Sequence, residues 1–349
     1  MKALEPIVLP PLSALYGVIA RARLALYGRG TFRVSELEVP VISVGNITTG
    51  GTGKTPLVEW LARRLVREGR KVCILTRGYG RRNSGRRVIV SDLQRMLATP
   101  DEAGDEAFLL ASKLKSLVAV ICDADRIAAG KWAISQFGVD TLLLDDAFQH
   151  LRVYRDLNII TIDATNPWGG GHLLPFGSLR EPLSGLERAD CILLTRTEQV
   201  DTTDGIVTRL SKLSCGRPVF LSQMQTRGFS SVVNPGVPDS TTSPENPIAA
   251  FCGIGNPKAF FHQLQSEGCR LALTRAFSDH HSYNEAELRS LVQEAKKAGA
   301  RGLVTTAKDA VKLSSFDFEI PCYVLEIEIA IDEEERLMEM IRRSLRTDL

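Results

Sequence analysis

Short apolar runs alternate along most of the chain with segments whose apolar residues recur every three or four positions. The runs cover residues 39–44, 71–76, 118–121, 141–144, 158–162 and 191–195, each the length of a buried strand. After the first run, Leu57, Val58, Leu61 and Leu65 share one helical face, and Gly69 suits the end of that helix. Such alternation predicts a mostly parallel sheet covered on both faces. The rhythm dissolves between residues 222 and 247 into Gly, Ser, Thr and the prolines Pro235, Pro238, Pro244 and Pro247, which predicts a linker or a long excursion. It resumes with apolar runs at 248–251 and 302–305 and a helix after Gly253-Ile254-Gly255-Asn256-Pro257. The expected organisation is an N-terminal segment (1–32), a larger α/β domain (33–222), a linker (223–247) and a smaller α/β domain (248–349). A cleft between the two domains is the expected place for a second substrate.

The N-terminal segment follows a different pattern. After Pro10-Pro11, the residues Leu12, Leu15, Tyr16 and Ile19 fall on one helical face, with Arg21, Arg23 and Arg29 close behind. Two readings stay open from these residues: a helix packed on the domain, or an interfacial helix with apolar groups at the acyl boundary and arginines at anionic headgroups. No apolar run has the length of a confident membrane span. Prolines and arginines break up the start, unlike a cleaved signal peptide.

Composition changes this picture only slightly. The 349 residues are 44% hydrophobic and 24% charged, ordinary for a globular chain of two domains. A net charge of +2 gives no electrostatic support for nucleic-acid binding, and none is expected. The seven cysteines include no Cys-x-x-Cys pair. Cys73, Cys122, Cys191 and Cys252 lie in apolar runs and read as small core residues, which fits a reducing cytoplasm.

The chemistry centres on Thr48-Thr49-Gly50-Gly51-Thr52-Gly53-Lys54-Thr55-Pro56, between the first strand and the first amphipathic helix. Backbone N–H groups of a glycine loop and a helix N-terminus converge on phosphate, and Lys54 can reach the terminal phosphates. Thr55 offers a hydroxyl to Mg²⁺, and Pro56 suits a first helical turn. Thr48 stands where the usual pattern has its first Gly. In open α/β sheets ligands sit at strand C-terminal ends. There the run Leu142-Leu143-Leu144 ends in Asp145-Asp146, the form of a Walker B element that holds Mg²⁺ directly or through water. Gln149 and His150 follow at once and can face the same cleft; for His150 a structural role is equally open. Asp105, in Gly104-Asp105-Glu106 before an apolar helical stretch, reads from local pattern as a helix N-cap, with a catalytic base as the alternative. Arg180-Glu181-Pro182 offers an Arg for phosphate charge and a Glu for metal, or a surface ion pair. Asp279-His280-His281 is a compact polar cluster of the smaller domain, without the cysteines a zinc site would favour.

Taken in order, these pieces resemble the tetraacyldisaccharide 4′-kinase family of lipid A synthesis in Gram-negative bacteria. The resemblance runs over residues 12–313. It adds Arg77-Gly78-Tyr79-Gly80-Arg81 and Thr305-Thr306-Ala307-Lys308-Asp309 to the motifs above. Ala147 stands where the family usually has Gly, and Ala307 where Glu is common. The resemblance implies a P-loop NTPase-like domain, with the smaller domain joined through a β-ribbon linker. It implies ATP- and Mg²⁺-dependent phosphorylation of the 4′-hydroxyl of a tetraacyldisaccharide 1-phosphate, giving lipid IVA. The N-terminal helix would lie at the cytoplasmic face of the inner membrane. The resemblance assigns Asp105 as base with His280 orienting it, Lys54 and Arg180 to the transferring phosphoryl charge, and Thr55, Asp145, Asp146 and Glu181 to magnesium and its water. The competing expectations are a P-loop ATPase acting as a switch or accessory protein at the membrane, and a kinase for a soluble metabolite.

Overall fold

A computed structural model describes residues 5–232 and 243–345; the prolines Pro235 and Pro238 lie outside the described residues. Its twelve strands are β1 (Val41–Gly45), β2 (Val72–Thr76), β3 (Val88–Ser91), β4 (Ala119–Cys122), β5 (Thr141–Asp145), β6 (Leu157–Asp163), β7 (Cys191–Thr195), β8 (Val219–Ser231), β9 (Ile248–Cys252), β10 (Leu271–Ala276), β11 (Gly302–Thr306) and β12 (Cys322–Ile331). They run side by side in the order β10-β9-β11-β12-β8-β7-β6-β1-β5-β2-β4-β3. Neighbours are parallel except β3 with β4 and β8 with β12.

The central strands are near-continuous runs of Val, Ile and Leu because helices cover both faces, leaving no exposed side for an alternating pattern. The Lys54–Arg67 helix buries Leu57, Val58, Leu61, Ala62 and Leu65, the face set by its sequence spacing. Gly69 lies just beyond it with φ 83°, accepting the left-handed turn that ends the helix. Cys73, Cys122, Cys191 and Cys252 are buried free thiols.

Two parts of the sheet differ from the periodicity. Residues 223–231, expected as linker, continue as strand in β8. Its start pairs with β7, and residues 222–231 pair antiparallel with β12, so one strand serves both ends of the sheet. This stretch alternates buried and exposed positions instead of forming an apolar run. The same alternation hides β12, and none of β10 is fully buried. An antiparallel ribbon with one wetter face reads as polar from sequence.

The N-terminal helix (Glu5–Gly28) begins before Pro10-Pro11 and includes both. Leu12, Leu15 and Ile19 are 46–59% exposed, as are Val8 and Val18. Tyr16, expected on that same face, turns inward and donates to the Arg180 carbonyl at 2.6 Å. Ser13 donates to Leu173 O, Arg23 to Gln149 O, and Gly17 lies so close to Leu173 that a Cβ would come within 2.7 Å of it. Among the described residues no helix is long and apolar enough to cross a membrane.

Candidate active site

The phosphate loop is locked from beneath by hydroxyls. Asn46 donates to Thr52 Oγ1 (3.0 Å), which shares a 2.7 Å hydrogen bond with Thr161 of β6, and Thr195 of β7 donates to Thr52 O. Thr48 and Thr49 are anchored to residues 178–179, with Thr49 N on Ser178 O at 2.7 Å. Gly53 is the helix N-cap, with φ 82°. Any Cβ there would meet Met224 Cε at 2.6 Å. Gly53→Ala should therefore lose about 1–3 kcal/mol of stability from the left-handed backbone alone, read as a lowered urea midpoint. Gly45 is equally constrained, because the backbone of Phe148 passes within 2.7 Å of where its Cβ would stand.

From this loop a cleft of about 330 Å³ extends to the smaller half of the molecule, lined by residues 49–55, Asp146, Arg180, Glu106, His280 and Lys308 among others. Lys54 Nζ lies 3.5 Å from Asp146, and Arg180 holds both Asp146 oxygens at 2.9 Å. Asp146 has φ 49°, a tight turn that aims its carboxylate at these two cations. Burial works against its ionisation, but Lys54 and Arg180 outweigh burial and lower its pKa. Asp145 lies behind it, 2% exposed, accepting from Thr76 Oγ1 at 3.1 Å. Burial, then the carboxylates of Glu106 and Asp146, push Asp145 up to about 7.

Glu181 is buried rather than on the surface, its oxygens taken by Gln149 (2.6 Å) and Arg188 (2.8 Å). Among the described residues no three His, Cys, Asp or Glu side chains gather as a metal cage. His150 is partly buried; burial and the charges of Arg126, Arg152 and Arg155 depress it to about 4, so the imidazole is neutral. Ala147 is fully buried, and the turn after the two aspartates closes with His150 N on Ala147 O.

Asp105 corrects the local reading. It is the first residue of the Asp105–Lys113 helix, whose N-cap is Gly104, so its carboxylate is not the cap. Instead it reaches across the cleft. His280 Nδ1 lies 2.9 and 3.0 Å from its two oxygens, and Lys312 Nζ lies 3.3 Å away. Burial opposes ionisation of Asp105, yet the His280 hydrogen bond and the nearby lysines hold it at about 2. His280 has φ 60°, and its N–H bonds to Gly253 O, which presents the ring to Asp105. Residues 175 apart in sequence thus form one unit.

Lys308, Lys312, Arg196 and Asn256 went unread in the sequence. Arg196 bonds Gly51 O (2.8 Å) and Asp163 (2.6 Å), and Asn256 bonds the same Asp163 oxygen, seating the Gly255 loop over the phosphate loop. Lys308 and Asn256 do lie in motifs the sequence displays, Thr305-Thr306-Ala307-Lys308-Asp309 and Gly253-Ile254-Gly255-Asn256-Pro257, but the local pattern carries no sign of these contacts.

Known proteins resemble this chain along nearly its whole length. The family model described as tetraacyldisaccharide-1-P 4′-kinase matches residues 6–346. The chain belongs to that family. A tetraacyldisaccharide 4′-kinase of Desulfotalea psychrophila is 41% identical over 318 residues, covering 90% of this chain and 89% of that protein. One of Geobacter metallireducens is 42% identical over 313 residues, 88% of each. The crystal structure of LpxK from Aquifex aeolicus in complex with ATP aligns at a TM-score of 0.76 and 31% identity. The alignment covers 98% of this chain and 100% of that one.

Proposed function

We propose that this protein transfers the γ-phosphoryl group of ATP to the 4′-hydroxyl of a tetraacyldisaccharide 1-phosphate, the family's reaction, forming lipid IVA. The observation that supports this reading is the Asp105–His280 contact, a proton-accepting pair whose His280 member lines the same cleft as Lys54 and Arg180. A nucleotide switch needs the phosphate loop but has no use for such a pair.

Loop amides cradle the phosphates, and Lys54 and Arg180 offset charge on the transferring group. The sugar oxygen attacks phosphorus in line, the bond to the β-phosphate oxygen breaks, ADP leaves, and the hydroxyl proton passes to the Asp105–His280 pair. The residues present fit Mg²⁺. Asp145, buried against two other carboxylates, is a position where a divalent cation would relieve repulsion, and Mg²⁺ is usually bound by only one or two carboxylates together with substrate phosphates. Thr55, Asp145 and Asp146 would hold it, with Glu181 fixing Gln149 and Arg188 behind them. When bound, Mg²⁺ neutralises charge on the β- and γ-phosphate oxygens. The division into a P-loop domain and a smaller domain lets closure over the cleft exclude water.

The exposed face of the N-terminal helix supports a site at the cytoplasmic surface of the inner membrane, where the acyl chains remain in lipid. Deleting the helix would also remove the Tyr16 and Arg23 contacts to the site, so point changes are cleaner. Leu15→Glu with Ile19→Glu should weaken pelleting with anionic vesicles by about tenfold or more and leave nucleotide binding unchanged. Normal pelleting would exclude this face from membrane binding.

The function is tested with γ-labelled ATP, Mg²⁺ and detergent-dispersed tetraacyldisaccharide 1-phosphate. Label in the lipid is expected. Free phosphate released without lipid label would favour the ATPase reading, and label on a soluble sugar acceptor would favour the metabolite kinase.

A further inference from the structure

Lys308 sits where the proposed chemistry leaves a gap. It lies in a short helix (Ala307–Ala310) whose first turn is capped by Thr306, and its side chain is 15% exposed. Its ammonium contacts Glu106 Oε1 at 2.9 Å, Asp279 Oδ1 at 3.0 Å and His280 Nε2 at 3.1 Å. An ammonium has three protons and no acceptor, and here three acceptors take them. Burial disfavours its charge, but Glu106, Asp105 and Asp279 outweigh burial and raise its pKa, so Lys308 is a cation.

The contact with Nε2 constrains the imidazole. A donor on Nε2 requires a lone pair there, so neutral His280 carries its proton on Nδ1 and donates it to Asp105. An imidazolium would instead turn an N–H toward the ammonium. The groups facing His280 are Asp105 and Glu106 from the Asp105–Lys113 helix, Lys308 and Lys312 from the segment after β11, its neighbour Asp279, and the Tyr79 ring at 5.2 Å. The hydrogen bond to Asp105 raises the His280 pKa, burial and Lys308 lower it, and the net displacement is upward.

We propose that Lys308 is a positioning residue for phosphoryl transfer: it fixes the His280 tautomer against Asp105 and covers Nε2 until phosphate in the cleft draws the ammonium away. Both parts follow from the contact. The lone pair on Nε2 is the one position of neutral His280 not already committed to Asp105, and the lysine occupies it. Lys308 lines the same cleft as Lys54 and Arg180, so an arriving polyphosphate offers it a stronger anionic partner than an imidazole. The inference rests on the kinase reading of this site.

The experiment is the pH profile of kcat/KM for the full chain, in wild type, Lys308→Gln, Lys308→Arg and His280→Ala. A base must be unprotonated to act, so activity rises with pH through its pKa. Removing the neighbouring cation favours the imidazolium, and Lys308→Gln should move the acid limb to higher pH by about one unit or more. Lys308→Arg, which keeps the charge, should leave the limb near its wild-type position. A Gln variant that loses activity with an unmoved limb overturns the inference, because a merely structural bridge to Glu106 predicts that outcome. If His280→Ala leaves both turnover and the limb unchanged, the reading of the site itself fails. A Gln variant that does not fold is bypassed by ¹⁵N imidazole shifts of His280 in the wild-type chain, with and without a non-hydrolysable ATP analogue. A protonated Nδ1 in the free protein and an altered Nε2 signal with the analogue are expected. A proton on Nε2 in the neutral free protein would overturn the inference.

Discussion

Asp105→Asn is expected to lower turnover by about 10²–10⁴-fold, the usual contribution of a positioned proton acceptor, while KM for ATP stays near the wild-type value. The geometry separates the two effects. Asp105 is buried at the start of its helix, where its carboxylate engages His280 and Lys312. Asparagine keeps the size of the side chain and an oxygen that can accept from Glu106 N, as Asp105 Oδ1 does at 3.0 Å. What disappears is the negative charge that stabilises a proton on His280, together with the ion pair to Lys312. A folded variant, judged by an unchanged denaturation curve, with near-normal turnover would remove Asp105 from the proton path. It would also leave the His280 contact as a clasp between the two halves.

Lys54→Ala should reduce lipid phosphorylation by about 10²–10³-fold, the effect of deleting one preorganised donor from developing charge. Nucleotide affinity should weaken as well, since the same ammonium serves ground-state phosphate. Lys54 is only 10% exposed and sits 3.5 Å from Asp146. Its loss leaves Arg180 as the ion-pair partner of that carboxylate and removes the cation that most lowers the pKa of Asp145. The variant should therefore need more Mg²⁺ to reach its own maximal rate, read as a shifted metal titration. Full activity with unaltered metal dependence would place the phosphoryl charge on Arg180 alone.

The phosphate loop and the strands around it were legible because both are local. Residues 39–45 had to be a strand for the loop to begin, and the glycines and Lys54 had to follow at once for the amides to point one way. The pairs of greatest consequence for the proposed chemistry were not legible that way. Asp105 looked like a helix cap because Gly104-Asp105-Glu106 before an apolar run carries the same local signal. Only the position of His280 across the cleft distinguishes the two. The pattern around Glu181 leaves a metal-supporting carboxylate and a surface ion pair equally open; in the structure it is buried between Gln149 and Arg188. Tyr16 fell in step with Leu12 and Leu15, but its hydroxyl found the Arg180 carbonyl and drew it inward.

By itself the sequence determined that this chain forms a parallel α/β sheet with a phosphate-binding loop, because hydrophobic period and glycine-loop chemistry act over a few neighbouring residues. Tertiary structure alone decided which charges meet. The β8–β12 ribbon carries the chain from the larger part of the sheet to the smaller, which brings Lys308, Lys312 and His280 onto Asp105 and Glu106. Local periodicity contains no information about that approach, since the free energy of a buried ion pair depends on distance and desolvation between residues that the chain itself keeps far apart.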